Sequence, residues 1–466
     1  MRRNANLAGM SAAPIPESRI RPAAPVPHNK NLNRIQVVQE IGRNAVAAFG
    51  ERAYRERMIY DRNWMQDFLL VNDPEGIKHV LLDNVNNYVK GRQVQRTTGP
   101  ALGNGLFNAN GESWKFQRRT TAPMFSMRHI TDFAAPMARV AERELAAWNA
   151  SEGETIDAAD AMMRLTYAII TDTMFSNDVK IDYGALAGHF VTYLDTLGRV
   201  DLLSTLGVPH WAPTPKRIRA GATLRFFRKH IGALIERRAK EVARDPAAAP
   251  KDLLTLLIMA RDPEGGALFG PSEVYDNAMT FIFAGHETTA NALAWTLYLL
   301  SQFPDVDARV AEEVRAANGD ITKLAYSRMV IEEALRLYPP APFVSRDSVA
   351  PDTIAGIEIR GGTAVLISPW ILHRHRELWE APDYFDPERF APGRREKIHR
   401  FAYIPFGAGP HICIGMGFAM QEALICLSAI VSRYRLTLAP GAKVMPLARL
   451  TLRPEFGIKM RVEKRS

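Results

Sequence analysis

One of the two cysteines in this chain lies in an unusual setting. Cys413 occurs in "IPFGAGPHICIG", residues 404–415, among glycine, proline and small apolar residues. Ordering such a loop costs much backbone entropy, so the thiol is expected to have a specific use. A lone cysteine has four candidate roles: buried filler, redox thiol, catalytic nucleophile or metal ligand. The other cysteine, Cys426, lies in the apolar helical run "EALICLSAIV" and is expected to be a small core residue.

The composition of the loop favours the ligand role for Cys413. No C-x-x-C pair is present, and His411 is an unspecific partner for a nucleophilic thiol. Gly409 and Gly415 allow backbone N–H groups to approach a sulfur, and the helical pattern after Cys413 places the thiol at a helix N-terminus, whose dipole favours the thiolate. One thiolate is too few protein ligands for a tetrahedral zinc or iron–sulfur site, whereas haem iron needs only one.

A second candidate site is "AGHETTA", residues 284–290. His286 and Glu287 match the start of a zinc-protease H-E-x-x-H motif, but the fifth position is alanine, so the second histidine ligand is missing. What remains is a carboxylate beside the hydroxyls of Thr288 and Thr289. Such threonines either bond back to a carbonyl one turn earlier or form a carboxylate–hydroxyl pair for proton delivery. Taken alone, the pattern favours the structural alternative.

The elements that must position these residues predict a mainly α-helical fold with a minor β region. The helical apolar period is longest from about Ser272 to Gln302, enough for a helix that crosses a large domain. Residues 93–112 are rich in glycine and asparagine and predict a long loop. Clear strand alternation appears in "IEIRGGTAVLIS", which predicts a hairpin around Gly361–Gly362, and in "PLARLTLRPEFGIKMRV" near the C-terminus.

Composition restricts the class of protein further. The 466 residues are 47% hydrophobic and 23% charged, as in ordinary soluble globular proteins, and the formal net charge is +9. No dense Lys/Arg tract or nucleic-acid motif occurs, so no nucleic-acid partner is expected. Residues 1–30 lack a long apolar segment and predict a flexible arm, not a signal peptide or transmembrane anchor. Residues 31–466 are predicted to form one domain, and the protein is expected to be cytoplasmic.

Four motifs, taken in order, resemble those of the cytochrome P-450 haem-thiolate monooxygenases, of the bacterial soluble type. One is "AGHETT", the acid–alcohol segment of that family. The other three are the loop F-x-x-G-x-x-x-C-x-G, the pair E-x-x-R and the pair W-x-x-x-R, matched by Phe406, Gly409, Cys413 and Gly415, by Glu333 and Arg336, and by Trp114 and Arg118. The motifs cover residues from about 107 to 452, so chance agreement is negligible. "GLFNANGESW" and "AGHETT" resemble the fatty-acid hydroxylase branch.

The resemblance implies a role for each matched residue. Cys413 is expected to be the axial thiolate of the haem iron, and Glu287 and Thr288 are expected to deliver protons to iron-bound oxygen. Glu333, Arg336 and Arg389 of "PERF" are expected to form a structural network. The remaining haem contacts are expected from Trp114, Arg118, Ala284, Gly285, Arg346, Phe406, Gly409, His411 and Gly415. His411 stands where family members often have arginine, so its contact is expected to be weaker and pH-dependent.

The residues that match the family's substrate pocket are apolar or small. They are Phe107, Phe283, Ala284, Ala341, Phe343, Val344, Leu450 and Thr451. They imply a hydrophobic substrate such as a fatty acid, terpenoid, steroid or aromatic compound. For Phe283, plain core packing is an equally good interpretation. The stretch "GVPHWAPTP", residues 207–215, resembles the break between two lid helices.

The cofactors implied are haem b, which is iron protoporphyrin IX, and O2 as co-substrate. No flavin or nicotinamide fingerprint occurs, so electrons are expected from a ferredoxin or flavodoxin with its NAD(P)H-dependent reductase. Six basic residues either form a docking face for such an acidic partner or are merely solvated. They are Lys115, Arg119, Arg394, Arg395, Lys397 and Arg400.

Two other functions fit the same fold. One is a peroxide-driven peroxygenase, and the other is a non-catalytic haem-binding sensor. Glu287 and Thr288 count against both, because neither function needs an acid–alcohol pair for proton delivery. Product formation with peroxide alone, compared with NADH plus ferredoxin, separates the first alternative from a monooxygenase.

Overall fold

The longest described helix, Pro271–Gln302, runs through the interior and confirms the predicted long helix. It begins with a proline, which is compatible with the first helical position, and the Glu273 carboxylate accepts a hydrogen bond of 2.8 Å from the Gly270 N–H. It ends at Phe303, since the following Pro304 has no N–H to continue the hydrogen-bond ladder. Most of its side chains are buried, so the helix needs neighbours on nearly every face.

The computed structural model describes residues 20–30, 32, 34–62, 66–148, 153–178, 184–185, 188–189, 192–193 and 215–465. Its α-helices, numbered along the chain, are α1 Arg34–Asn44, α2 Pro74–Lys78, α3 Arg92–Leu102, α4 Gly111–Thr121, α5 Met127–Asp132, α6 Ala134–Ala146, α7 Ala158–Phe175, α8 Pro215–Arg244, α9 Leu253–Met259, α10 Pro271–Gln302, α11 Pro304–Ala317, α12 Ala325–Leu337, α13 Pro369–Leu372 and α14 Met416–Val431.

The described strands form four small sheets. They are β1 Met58–Asp61, β2 Phe68–Val71, β3 Tyr88–Lys90, β4 Thr155–Asp157, β5 Val344–Ser348, β6 Asp352–Ile354, β7 Ile357–Ile359, β8 Ala364–Ile367, β9 Tyr434–Leu438, β10 Pro446–Ala448, β11 Leu452–Pro454 and β12 Lys459–Lys464. The largest sheet has the order β1-β2-β8-β5-β3, and β4-β12-β9 form a second. The strands β10–β11 and β6–β7 form two-stranded sheets. The mainly helical fold with a minor β region is thereby confirmed.

Helix α10 is the axis of the helical core. Helices α7, α12 and α14 pack against it, and one hydrophobic cluster extends from Val46 to Val462. A second cluster, from Leu69 to Ala408, lies beside the five-stranded sheet. The assignment of residues 31–466 to one domain remains a prediction.

The predicted loop over residues 93–112 is wrong in its first half, because residues 92–102 form helix α3. This helix buries Thr98, Ala101 and Leu102 and packs against α10, so tertiary contacts outweigh the local effect of the proline inside it. The remaining residues form a turn held on α10. There the Leu106 N–H donates to the Asn277 side-chain oxygen at 3.0 Å.

The predicted hairpin around Gly361–Gly362 is also wrong. Strand β7 pairs with β6, whereas β8 pairs with β5 and, in parallel, with β2. The two glycines turn the chain from one sheet into another, and Gly362 has a φ of 83°. The C-terminal pattern similarly divides between the β10–β11 pair and β12. Alternation marks the faces of a strand but does not select its partner.

Part of the predicted N-terminal arm lies on the body of the protein. The Tyr338 hydroxyl donates to the Ala23 carbonyl at 2.8 Å, and Arg21 pairs with Asp383 at 2.8 Å. Residues 1–19 lie outside the described residues. Over the described part of the chain, no helix combines the length and apolarity needed to span a bilayer.

The predicted structural network is buried, and two of its residues, Glu333 and Arg336, lie on α12. Arg336 donates to both carboxylate oxygens of Glu333, at 2.7 and 2.8 Å, and to three backbone carbonyls. All five of its donors are therefore used. Arg389 also donates to Glu333, at 3.3 Å, and Glu333 and Arg336 are fully buried. A charge group so completely hydrogen-bonded is costly to break.

We predict that Arg336→Met lowers the free energy of unfolding by roughly 3–5 kcal/mol, because it leaves the Glu333 charge and several carbonyls without their donors. Urea unfolding followed by circular dichroism measures this loss. Arg164→Met is the matched control, since Arg164 pairs with Asp160 on the exposed surface of α7, and it should cost less than about 1 kcal/mol. Equal losses in the two variants would contradict the structural role.

Candidate functional site

The cysteine loop ends directly before helix α14. The Cys413 N–H donates to the Phe406 carbonyl at 2.9 Å, which closes the loop on itself. Gly409 has a φ of 67°, and a Cβ atom there would overlap the backbone oxygen of Leu81. The loop therefore needs Gly409 in order to pack against Leu81. This is a different reason from the predicted approach of backbone donors to sulfur.

The surroundings of the Cys413 thiol combine exposure with desolvation. Its side chain is exposed, yet burial raises the pKa of the thiol, opposed by the Gly415 N–H and by Arg118. The Gly415 N–H and Arg118 thus favour the thiolate, as the sequence predicts for this position, while desolvation opposes it. A metal ion bound to the sulfur would favour the thiolate further, since a coordinating thiol loses its proton outright.

Part of the central helix is accessible although the residues on either side of it are buried. Ala284 is exposed and Gly285 half-exposed, although the neighbouring Phe283 and His286 are buried. Phe406 of the cysteine loop is half-buried. Internal surface thus occurs on both elements between which the predicted macrocycle would bind.

A cluster of positive charge lies beside the cysteine loop. Lys90 and Arg346 are directly opposite each other on the antiparallel strands β3 and β5. Burial and the Arg346 charge lower the pKa of Lys90 to about 7, and burial lowers the pKa of Arg346 to about 10. Like charges in this position are destabilising. Over the described ranges, no carboxylate pairs with Lys90, Arg118 or Arg346.

The ring of His411 completes this cluster. It contacts Trp114 with ring centroids 3.8 Å apart. Burial lowers the pKa of His411 to about 3, and the charges of Arg346, Lys90 and Arg118 contribute. The ring is therefore neutral and cannot replace the arginine that family members often have.

The cluster fits the acidic edge of a haem. Arg346 Nε and His411 Nδ1 are buried without a hydrogen-bond partner in the described structure. Donors without partners beside cations that have no carboxylate partner favour an anion, which the two propionates of the predicted cofactor would supply. Sequence analysis found Trp114, Arg118, Arg346 and His411 but missed Lys90. No local signal identifies Lys90, because its place in the cluster comes from pairing with a strand some 250 residues away.

The acid and the alcohol of the central helix have separate partners. The Thr451 hydroxyl donates to Glu287 Oε1 at 2.6 Å, and the Thr288 hydroxyl donates to the Ala284 carbonyl at 2.6 Å. Burial raises the pKa of Glu287. Thr451, predicted to line the substrate pocket, is thus a partner of the acid. Thr288 makes the back-bond that the sequence pattern had suggested as the structural alternative.

A further buried acid was missed by sequence analysis. Glu422 lies on α14 and is 2% exposed, and its side chain bonds to Thr289. Burial raises the pKa of Glu422 to about 8, so the carboxyl is neutral at ordinary pH. An acid inside the apolar pattern "MGFAMQEALICLSAIV" was the available signal.

The predicted pocket residues differ in exposure. Phe107 is 40% exposed, Ala341 is exposed, and Leu450, Phe343 and Val344 are half-buried. Phe283 is buried and packs edge-to-face on Phe227 and Tyr193, at 5.4 and 5.8 Å between centroids, in line with its core interpretation. The predicted lid break at residues 207–215 lies almost entirely outside the described residues.

The predicted basic docking face is largely neutralised. Four of its six residues pair with nearby acids: Lys115 with Glu112, Arg119 with Asp262 and Glu264, Arg394 with Asp386, and Arg395 with Glu332. Within the described part of the chain, Lys397 and Arg400 form no ion pair. The positive surface for an acidic partner is therefore smaller than the sequence suggests.

Comparison with known proteins gives consistent matches along the chain. A family model described as cytochrome P450 matches residues 32–461. Cyclooctatin synthase from Streptomyces melanosporofaciens is 33% identical over 386 residues, 81% of this chain and 83% of that protein. Cyclooctat-9-en-7-ol 5-monooxygenase from the same organism is 33% identical over 380 residues, 79% and 80% of the two chains. The crystal structure of the cytochrome P450DA heme domain matches with a TM-score of 0.82 at 26% identity, covering 95% of this chain and 98% of that one.

We predict that Glu422→Gln removes a pH dependence of stability. Because the folded-state pKa of Glu422 is raised, the neutral carboxyl contributes stability below the ordinary pKa near 4.5, and this contribution is lost as pH rises through about 8. Wild-type protein should lose roughly 2–5 kcal/mol of unfolding free energy across this range, measured by urea unfolding of the holoprotein.

The variant should show a flatter profile and exceed wild type in stability above pH 8. Glu142→Gln, which alters an exposed carboxyl paired with Arg433, is the matched control and should keep the wild-type profile. A Glu422→Gln profile that parallels wild type would show that Glu422 does not titrate as described.

Proposed function

This chain belongs to the cytochrome P450 family, and from that premise we propose that it hydroxylates a hydrophobic substrate with Cys413 as the axial ligand of a haem b. It is a cytochrome P450 monooxygenase, and the family uses a haem-thiolate cofactor and O2. The observation that carries the residue assignment is the cluster of Lys90 and Arg346, which lies beside the cysteine loop without a described carboxylate partner.

The residues that would hold the cofactor come from separate parts of the chain. Cys413 would ligate the iron from the loop before α14. Lys90, Arg118 and Arg346 would neutralise the two propionates, with Trp114 as a further contact. When bound, the haem activates O2, so that one oxygen atom enters the substrate and the other leaves as water. A buried cluster that binds both propionates also excludes water from this edge of the site.

The side chains of the central helix would deliver protons and leave space for the cofactor. Ala284 leaves room beside the cofactor, because its small side chain creates the internal surface seen there. Gly285 instead allows close packing on α7, since a Cβ atom at this position would lie 3.2 Å from Ile170 Cδ1. Thr288 carries a hydroxyl on the next turn, and burial raises the pKa of the Glu287 carboxyl, which favours its role as an acid. Their task is to pass protons into a site closed to bulk water.

For the substrate we propose an apolar carbocyclic compound. Phe107, Ala341 and Leu450 present apolar surface at the predicted pocket. The relative cyclooctat-9-en-7-ol 5-monooxygenase acts, by its name, on an unsaturated alcohol. Electrons would come from a ferredoxin or flavodoxin with its reductase. Lys397 and Arg400 are the cations of the predicted face that remain free to meet it.

The spectrum of the reduced, carbon-monoxide-bound protein tests the ligand assignment. Wild type should show the red-shifted Soret band produced by a thiolate ligand, because sulfur donates electron density to the iron. Cys413→Ser should lose this band, whereas Cys426→Ala, which alters a fully buried cysteine of the core, should keep it. Persistence of the band in Cys413→Ser would overturn the proposal.

We predict that Thr288→Ala keeps the haem but wastes electrons. Without the hydroxyl, protons reach reduced oxygen in the wrong place, so product per NADPH should fall roughly tenfold and hydrogen peroxide should rise in step. Thr296→Ala is the matched control, since Thr296 is buried on the same helix and bonds only to the Ala292 carbonyl among the described groups. Unchanged coupling in Thr288→Ala would remove Thr288 from the mechanism.

A further inference from the structure

The proposed proton donor is held by a turn far away in the sequence. Thr451 Oγ1 donates to Glu287 Oε1 at 2.6 Å, and Arg453 adds a favourable charge. Glu287 is 3% exposed, so water does not compete effectively for its carboxyl. A hydrogen bond to an acid in such surroundings is stronger than one at the surface and determines where the acid points.

Thr451 lies in the β10–β11 turn, where its carbonyl accepts from the Arg449 N–H at 2.9 Å. Leu452, next to it, is anchored on both sides: its N–H donates to the Pro340 carbonyl at 2.9 Å, and its carbonyl accepts from Trp295 Nε1 at 3.5 Å. Leu450, on the other side, is half-buried at the predicted substrate pocket. The hydroxyl that holds Glu287 is therefore one residue away from a side chain that a substrate would contact.

The central helix presents a polar stripe to this turn. Glu287, Asn291 and Trp295 are spaced by four residues and so lie on one helix face. The first bonds Thr451 and the third bonds Leu452. Between them, Asn291 is 4% exposed and its Nδ2 is buried without a partner in the described structure. A carboxyl released by Thr451 thus has a donor one turn away, at a spacing that allows contact.

In the present conformation the acid and the alcohol bond to different groups. Adjacent residues on a helix point about 100° apart, and Thr288 donates to the Ala284 carbonyl instead of to Glu287. Direct proton transfer from Glu287 Oε1 to Thr288 requires this oxygen to leave Thr451. The bond between Thr451 and Glu287 is thus the contact that must open.

We propose that Thr451 is a positioning residue whose hydroxyl holds the Glu287 carboxyl away from Thr288, so that proton delivery depends on the position of the β10–β11 turn. This inference rests on the proposed function, because it assumes that Glu287 takes part in proton delivery. Opening the contact exchanges one hydrogen bond of the carboxyl for another and changes no covalent bond.

Two substitutions at the same position test this inference in the holoprotein. Thr451→Val removes the donor at nearly constant volume, and Thr451→Ser retains it. Thr296→Val makes the same chemical change on α10, where the hydroxyl bonds to the Ala292 carbonyl. All three variants should keep the thiolate band with carbon monoxide, so a change in Glu287 is separable from loss of the haem site.

The first readout is the infrared C=O band of Glu287, assigned by its loss in Glu287→Gln. Burial raises the pKa of Glu287, so the spectra are recorded at acidic pH, where the raised pKa favours the protonated carboxyl. In Thr451→Val the band should move to higher wavenumber, as for a carbonyl that has lost a donor. In Thr451→Ser and Thr296→Val it should stay in place.

The second readout is NADPH consumption without substrate, driven by a plant-type [2Fe–2S] ferredoxin and its reductase. Thr451→Val should raise this rate several-fold, because the acid is no longer held back. Thr451→Ser should match wild type. An unmoved band and an unchanged rate in Thr451→Val would overturn the inference, as would a Thr451→Ser variant that behaves like Thr451→Val. Absence of the thiolate band in wild type would instead contradict the proposed function.

Discussion

Arg336 and Arg346 are both buried arginines, and they meet the cost of burying a charge in opposite ways. Arg336 uses all five donors on Glu333 and three carbonyls, so its charge is compensated within the fold. Arg346 lies opposite Lys90, and its Nε lacks a partner in the described structure. Since a buried charge without compensation is costly, the first arrangement serves stability and the second awaits a ligand. The candidate site is thus marked by buried cations that have no carboxylate partner in the described structure.

Three consecutive polar residues of the central helix bond to three different groups. Glu287 meets the β10–β11 turn, Thr288 bonds back within the helix, and Thr289 meets Glu422 of α14. This follows from the rotation of about 100° per residue, which prevents adjacent side chains from sharing one partner. An acid and an alcohol that are adjacent in sequence are therefore not a pair in space. In the mechanism that we propose, their cooperation needs Glu287 Oε1 to leave Thr451.

Charged residues at the surface also pair with nearby opposite charges, although leaving such a charge unpaired costs less there than in the interior. The basic residues near the cysteine loop pair mostly with acids that are close in space, such as Arg395 with Glu332. The net charge of +9 therefore overstates the positive potential at that face. Counting charges along a sequence cannot separate compensated from free cations, because compensation is a matter of distance.

Sequence alone determined the features that depend on local pattern. Helix α10 was predicted almost to its ends because its apolar period and the proline after it are local signals. In the same way, the rarity of cysteine in this chain and the glycines near Cys413 selected it as a candidate metal ligand. The places of Lys90 and Glu422 in the site and the bond of Thr451 to the acid were not predictable. Each depends on a partner distant in sequence: Arg346, Thr289 and Glu287. The predicted hairpin failed for a related reason, since period-2 alternation describes one strand but not which strand it joins. Local residue chemistry thus selected the candidate groups, and tertiary structure decided which of them face each other, because hydrogen bonds and ion pairs act only over a few ångströms.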